Sequence, residues 1–176
     1  LLIHGYPSSF WDFYKLIPIL ANPGRFGFEF GAKGTIVFDA IVPSISGFAF
    51  SENPSKKGFG FIECARSYAK LMERLGHTNY FVFGAGKLGV ETATALAHFA
   101  PEAVRGLQLA NPYVSPLQDV LFLNYTSHPQ GWLQNSLTVD EILTEVHIYW
   151  LTGTFPHAAR FFKNSYDHPQ YDDTMR

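Results

Sequence analysis

Three stretches of this 176-residue chain hold residues whose types and spacing could do chemistry. The most informative is Phe81-Val82-Phe83-Gly84-Ala85-Gly86-Lys87-Leu88-Gly89, an apolar run that enters a helical pattern through a glycine-rich turn. Two chemistries use such a turn. Read as Gly84-x-Gly86-x-x-Gly89 it fits a dinucleotide site, where glycines let a pyrophosphate approach the first turn of a helix. That use expects an acidic residue about 20 positions on, at the end of the next strand, to hold the ribose hydroxyls. Here the strand ends Leu109-Ala110-Asn111, with no carboxylate. Read as small-x-nucleophile-x-small, Ala85-Gly86-Lys87-Leu88-Gly89 is a sharp strand-to-helix turn that thrusts its central side chain into a crevice. This elbow reading is the preferred one, and a dinucleotide-binding oxidoreductase is the alternative.

The second stretch is His4-Gly5-Tyr6-Pro7-Ser8-Ser9. Gly5 allows a sharp turn and Pro7 sets the next φ, which leaves the Tyr6 N–H to point into the crevice, where an amide can stabilise an oxyanion. His4 has a plain reading as a turn histidine bonded to nearby loops, and it is not the expected general base. The third stretch, Pro43 to Glu52, sets Phe48 and Phe50 beside a glycine bend, an arrangement suited to lining an apolar pocket. Lys87 itself has two readings. A cation at a helix N-terminus faces the positive end of the dipole and calls for an anion opposite, so the pocket could take a fatty or terpenoid acid. The plain reading is an i,i+4 ion pair with Glu91 that satisfies the charge. Schiff-base chemistry at Lys87 is a remoter option.

These residues need elements to position them. Four apolar runs without polar alternation, Leu1 to Ile3, Thr35 to Val42, Tyr80 to Phe83 and Leu107 to Leu109, predict parallel strands buried on both faces. Helical patterns at Trp11 to Leu20, Ile62 to Leu75 and Leu88 to Phe99 alternate with them, giving a β-α-β-α-β-α-β layer. Ligands of such sheets bind at the carboxyl ends of the strands, where all three stretches fall. The glycine-rich connection from Ala21 to Gly34 is expected to be loop. After a proline-punctuated stretch from Asn111 to Ser136, Thr138 with Glu141 forms a capping box that opens a helix to about Trp150. Thr154 with Pro156 opens a shorter one to about Asn164. The α/β core is therefore expected over residues 1–110 and a small helical appendage over 111–176.

Composition narrows the function classes. Thirteen Lys and Arg against fifteen Asp and Glu give a net charge of −2, which argues against a nucleic-acid groove. No apolar run reaches the roughly 20 residues of a membrane span. The single cysteine, Cys64, offers neither a disulfide nor a zinc spacing, and no metal or cofactor is expected with the elbow reading. The chain opens inside a strand pattern without an initiator Met, and its tail from Ser165 carries no strand signal, so it reads as a partial domain.

Together, His4-Gly5-Tyr6-Pro7, Pro43-Ser44-Ile45-Ser46-Gly47-Phe48-Ala49-Phe50-Ser51-Glu52 and the Leu75-Gly76 helix end before the elbow strand resemble the α/β-hydrolase core of microsomal-type epoxide hydrolases, including the juvenile hormone enzymes. Ile148-Tyr149-Trp150-Leu151-Thr152-Gly153-Thr154 and Arg160-Phe161-Phe162-Lys163 resemble that family's lid. The resemblance implies an elbow aspartate that opens an epoxide to an alkyl ester, lid tyrosines that protonate the epoxide oxygen, and a histidine with an acidic partner that activates water. It also implies a small apolar epoxide or lipid-like ligand, and association with the endoplasmic reticulum membrane through an N-terminal anchor that this chain does not contain. The chain departs from that pattern. Its nucleophile position is Lys87, and Leu88 stands where the family has Trp, although the Tyr6 and Leu88 N–H groups still suit an oxyanion hole. The lid acid falls on Phe162, a ring without a proton donor. The second lid tyrosine falls in a region shortened between Ala110 and Leu137, and the histidine and its acid belong to strands past Arg176. His147, His157 and His168 receive no catalytic role. The expectation is a partial α/β-hydrolase core with a shortened helical lid, inactive toward epoxides as it stands.

Overall fold

A computed structural model describes residues 1–28, 36–56, 58–111 and 138–166. Three parallel strands, β1 (Leu2–Ile3), β2 (Tyr80–Ala85) and β3 (Val104–Ala110), form a sheet in the order β1-β2-β3. The register pairs Ile3 with Gly84 and Gly84 with Leu109, so the carboxyl ends of all three strands lie level. That brings the turn after β1 beside the turn after β2. The helices are α1 (Leu16–Ala21), α2 (Phe61–Arg74), α3 (Gly86–Phe99), α4 (Val139–Thr152) and α5 (Phe155–Tyr166), with 3-10 turns at Phe10–Phe13 and Pro23–Phe26.

Helix α2 turns Phe61, Cys64, Ala65, Tyr68 and Met72 inward on one face, and Glu63 accepts a bond from the Gly60 N–H at its start. Helix α3 is buried along most of its length, and Leu88, Ala93 and Leu96 join Ile3 and Val82 in the core. Its close approach depends on two glycines. A Cβ on Gly84 would collide with the Gly89 carbonyl oxygen and lie 2.8 Å from the Ala93 Cβ. A Cβ on Gly89 would lie 2.6 Å from the Ile3 oxygen and 2.8 Å from the His4 oxygen. The helix can therefore rest on β1 and β2 only where side chains are missing.

Several expectations need correction. Thr35 lies outside the described residues, and residues 36–42 are not a strand. A bond from the Leu2 N–H to the Ile41 oxygen, at 2.9 Å, links this stretch to β1, but no ladder follows. Ile36 and Val37 are half exposed or more, so their apolar character does not signal a buried strand here. The predicted Trp11 to Leu20 helix is divided. The Ser9 hydroxyl accepts from the Trp11 N–H and starts a 3-10 turn, and α1 begins only at Leu16, with Pro18 in its first turn where a missing N–H is harmless. The connection expected to be loop holds the 3-10 turn Pro23–Phe26, closed by Gly27 at φ 76°. Helices α4 and α5 begin where their start signals fall, and in α4 the Thr138 hydroxyl accepts from the Glu141 N–H while Glu141 accepts from the Thr138 N–H. Most of the stretch between Asn111 and Ser136 lies outside the described residues, as does His168. Among the described residues no helix is long and apolar enough to cross a membrane.

Candidate functional site

The elbow joins β2 to α3 at Ala85, whose extended backbone (φ −110°, ψ 138°) precedes the helix. The left-handed residue of the turn is Gly86, at φ 61°, one position before Lys87. A glycine thus takes the conformation that L side chains resist, and Lys87 enters the regular helix. The Lys87 Nζ lies 3.9 Å from Glu91 Oε1, with the Glu91 side chain almost fully buried. This is the i,i+4 pair of the plain reading.

The turn after β1 lies directly on this elbow. A Cβ on Gly5 would meet the Ala85 oxygen at 2.9 Å and the Gly86 Cα at 3.3 Å. His4 is fully buried and bonded at both nitrogens: the Ile45 N–H donates to Nε2 at 2.9 Å, and Nδ1 lies 2.8 Å from the Gly5 oxygen. The bonding defines the neutral tautomer with its proton on Nδ1. Burial pulls the imidazole down from 6.5 to about 4. His4 therefore ties the first turn to the Pro43 to Glu52 turn and has no nitrogen left for a substrate.

Aromatic rings carry the contact from this turn to the lid. The Tyr6 ring stacks on Phe162 at 4.7 Å between centroids, and the Phe48 ring meets His4, Tyr6, Tyr149 and Phe161 edge-on. Phe48 is completely buried, a core residue rather than a pocket wall. Phe50 is 75% exposed and leans on Phe10. Ala49, at φ 46°, reverses the chain between the two and sends one ring in and the other out.

Helix α4 docks through a stripe of residues one turn apart, Glu141, Glu145 and Tyr149, whose contacts the motifs did not reveal. Glu141 takes a 2.7 Å bond from the Tyr14 hydroxyl and pairs with Lys15. Glu145 Oε2 takes a 3.0 Å bond from the Ser9 hydroxyl, and the Tyr149 hydroxyl donates to the Ser8 oxygen at 2.8 Å. Lys15, the Thr138 N–H and Tyr14 hold the Glu141 carboxyl well below its usual range. Burial does the opposite to Glu145, pushing it up to about 7, with the nearby Asp12 charge adding to the rise. The i,i+4 spacing of residues 141, 145 and 149 was visible, but their partners lie in the first fifteen residues. Beside this stripe opens a groove of about 580 Å³ lined by residues that include Pro7, Glu145, Tyr149, Trp150, Phe155 and Pro156. Among the described residues no group of three His, Cys, Asp or Glu could hold a metal ion.

The level strand ends, the glycine-packed elbow and the helices laid across it define the class, and a family model described as alpha/beta hydrolase fold matches residues 1–171. The chain belongs to the alpha/beta hydrolase fold family. Within that fold its relatives include epoxide hydrolases. Epoxide hydrolase 1 of Sus scrofa is 42% identical over an alignment of 237 residues that covers 94% of this chain and 51% of that protein. The juvenile hormone epoxide hydrolase of Manduca sexta is 34% identical, over 91% of this chain and 32% of that protein. The crystal structure of juvenile hormone epoxide hydrolase from the silkworm Bombyx mori superposes with a TM-score of 0.75 at 21% identity, covering 97% of this chain and 51% of that one, which shows the shared fold. The chain thus spans about half the length of the pig and silkworm proteins. The oxidoreductase alternative gains no support. Gly84, Gly86 and Gly89 each face protein backbone, which accounts for their spacing without a nucleotide.

Proposed function

We propose that this chain is an epoxide hydrolase-like protein whose polypeptide, as it stands, does not open epoxides by the alkyl-ester route. Residues 1–110 form its α/β core, and 111–176 a shortened lid. Lys87 at the nucleophile position carries this reading. Epoxide carbon is a weak electrophile, so opening needs a carboxylate at the elbow and an acid for the developing alkoxide. Lys87 supplies no carboxylate, and Phe162, stacked on Tyr6 where the lid acid is expected, supplies no proton. The Tyr6 and Leu88 N–H groups keep the oxyanion role, because the turn after β1 sits on the elbow. Gly5 and Pro7 shape that turn, His4 and Phe48 brace it, and Tyr149 and Trp150 face the groove that an apolar epoxide or lipid-like ligand would enter. The alignment with the pig enzyme runs to 237 residues against a chain of 176, which supports a shortening inside the matched span.

The test is turnover. Purified protein incubated with stilbene oxide or juvenile hormone is expected to yield no diol above a Lys87→Ala control. Diol formation that depends on Lys87 would overturn the reading. A lauric acid titration checks the remaining use of Lys87 as an anion site. With Glu91 as its partner, Lys87→Ala should leave fatty-acid affinity unchanged.

A further inference from the structure

Helix α4 lies on the molecule with its polar side inward. Glu141 and Glu145 face the opening segment, and Tyr149 is the one buried residue of the helix. Val139, Leu143, Val146 and Trp150 are instead 71%, 47%, 53% and 81% exposed. At about 100° per residue these four fall within about 60° of arc, roughly 130° from the docked stripe, so they form a single apolar ridge. Helix α5 behaves in the ordinary way and buries Ala158 and Phe161. An apolar ridge turned outward marks a surface that something covers, and its spacing says what. Steps of four, three and four residues are those of a coiled-coil seam, which a second helix fills. The ridge is also uneven along its length. Val146 and Trp150, in its second half, wall the groove together with Pro7, Phe155 and Pro156, whereas Val139 and Leu143 stand beyond the groove on the first half.

We propose that two copies of this chain pair through α4, antiparallel about a two-fold axis, with Val139 and Leu143 of each copy set into the groove of the other. A helix with knobs at one end and a hole at the other is complementary to itself only when its partner runs the opposite way. Val139 then meets the partner's Trp150, and Leu143 meets the partner's Val146. The groove, at about 580 Å³, has room for both aliphatic side chains. The polar residues beside the ridge agree with this register. Asp140 and His147 lie on the same edge of the ridge, two turns apart, so the pairing brings each acid to an imidazole and sets no like charges together. Helix α4 carries no lysine or arginine, so the ridge offers nothing to an anionic lipid surface. The capping box and the docked stripe hold α4 helical beforehand, and association need not order it. With 14 residues the helix is about 21 Å long, which places the contact in the small, reversible class with a micromolar Kd. The partner's side chains fill the groove offered above to an apolar ligand, so the dimer and that ligand exclude each other. Neither the ridge nor the groove lining contains Lys87, and the reading of the elbow does not depend on this outcome.

Sedimentation velocity of the whole chain tests it, with a reversible monomer–dimer equilibrium expected over about 1–100 µM. Leu143→Glu puts a charge at the centre of the seam in both copies and should weaken the dimer about thirty-fold or more. Leu151→Glu is the control: Leu151 is almost as exposed as Trp150 but lies about 110° from the ridge, so the dimer should persist. The register is read by mixing Val139→Cys chains with Trp150→Cys chains under mild oxidation, which should cross-link the mixture and neither variant alone. The native Cys64 is buried and does not compete. Circular dichroism verifies folding, and should Leu143→Glu fail to fold, the cross-link decides. A monomer throughout the concentration range, a dimer that survives in folded Leu143→Glu, equal loss in the two glutamate variants, or the absence of the mixed cross-link would overturn the proposal. A monomer that floats with phosphatidylcholine vesicles would overturn it too and assign the ridge to a membrane.

Discussion

Gly89→Ala is expected to cost about 3 kcal/mol or more, a large share of the roughly 5–15 kcal/mol that holds a typical domain folded. The new methyl would stand 2.6 Å and 2.8 Å from two backbone oxygens, those of Ile3 and His4. Neither oxygen belongs to a flexible side chain that could swing aside. Relief would have to come from lifting α3 off β1, which opens the core around Leu88 and Ala93. Gly24→Ala is the control, since nothing lies within 4 Å of a Cβ there, and it should stay within about 0.5 kcal/mol of the wild type. Urea midpoints measure both. Wild-type stability in Gly89→Ala would mean that helix and strand do not approach as closely as described. The same experiment bears on the dinucleotide motif, because a glycine required by packing needs no pyrophosphate to explain it.

The second large effect is hidden in the wild type and emerges in Glu145→Gln. Native His4 stays neutral down to about pH 4, whereas an unfolded histidine takes a proton near 6.5. The unfolded state therefore binds more protons in that window, and stability falls as pH drops. Between about pH 6 and pH 4 a fully buried imidazole contributes a loss of about 2 kcal/mol. Glu145 works the other way. Its carboxyl is raised from 4.5 to about 7, so the native state binds more protons between those values and stability rises as pH drops. The two slopes oppose each other over about pH 4.5 to 6.5. Removing the titrating carboxyl with Glu145→Gln should expose the His4 loss as a steeper fall in urea midpoint between about pH 6 and pH 5 than the wild type shows. Parallel profiles for the two proteins would refute it.

The features legible beforehand are those written in neighbouring residues. Thr138 and Glu141 are three positions apart, so their reciprocal bonds could be read directly, and the structure forms them. The glycine-rich entry to α3 marked a tight strand-to-helix turn for the same reason, although which residue turns left-handed could not be seen, and it is Gly86 rather than Lys87. Residues 36–42 misled because an apolar run promises burial only if a strand is free to pair on each side. Phe48 and Phe50 looked equivalent, yet the backbone at Ala49 separates them to opposite environments. The bonds from Ser9 to Glu145 and from Tyr14 to Glu141 could not be foreseen, because each joins partners far apart along the chain and no local pattern records such a match.

That distance has a consequence of its own. The bonds from Tyr14, Ser9 and Ser8 to α4 bridge 127, 136 and 141 positions, so nearly the whole polypeptide must be looped before any of them can form. Loop closure costs entropy before the contact returns anything, which makes such pairings late events in assembly. The strands and the helices between them gather first, and α4 settles onto the opening segment at the end. Weakening its clasp therefore quickens escape from the native state and leaves the speed of refolding almost untouched.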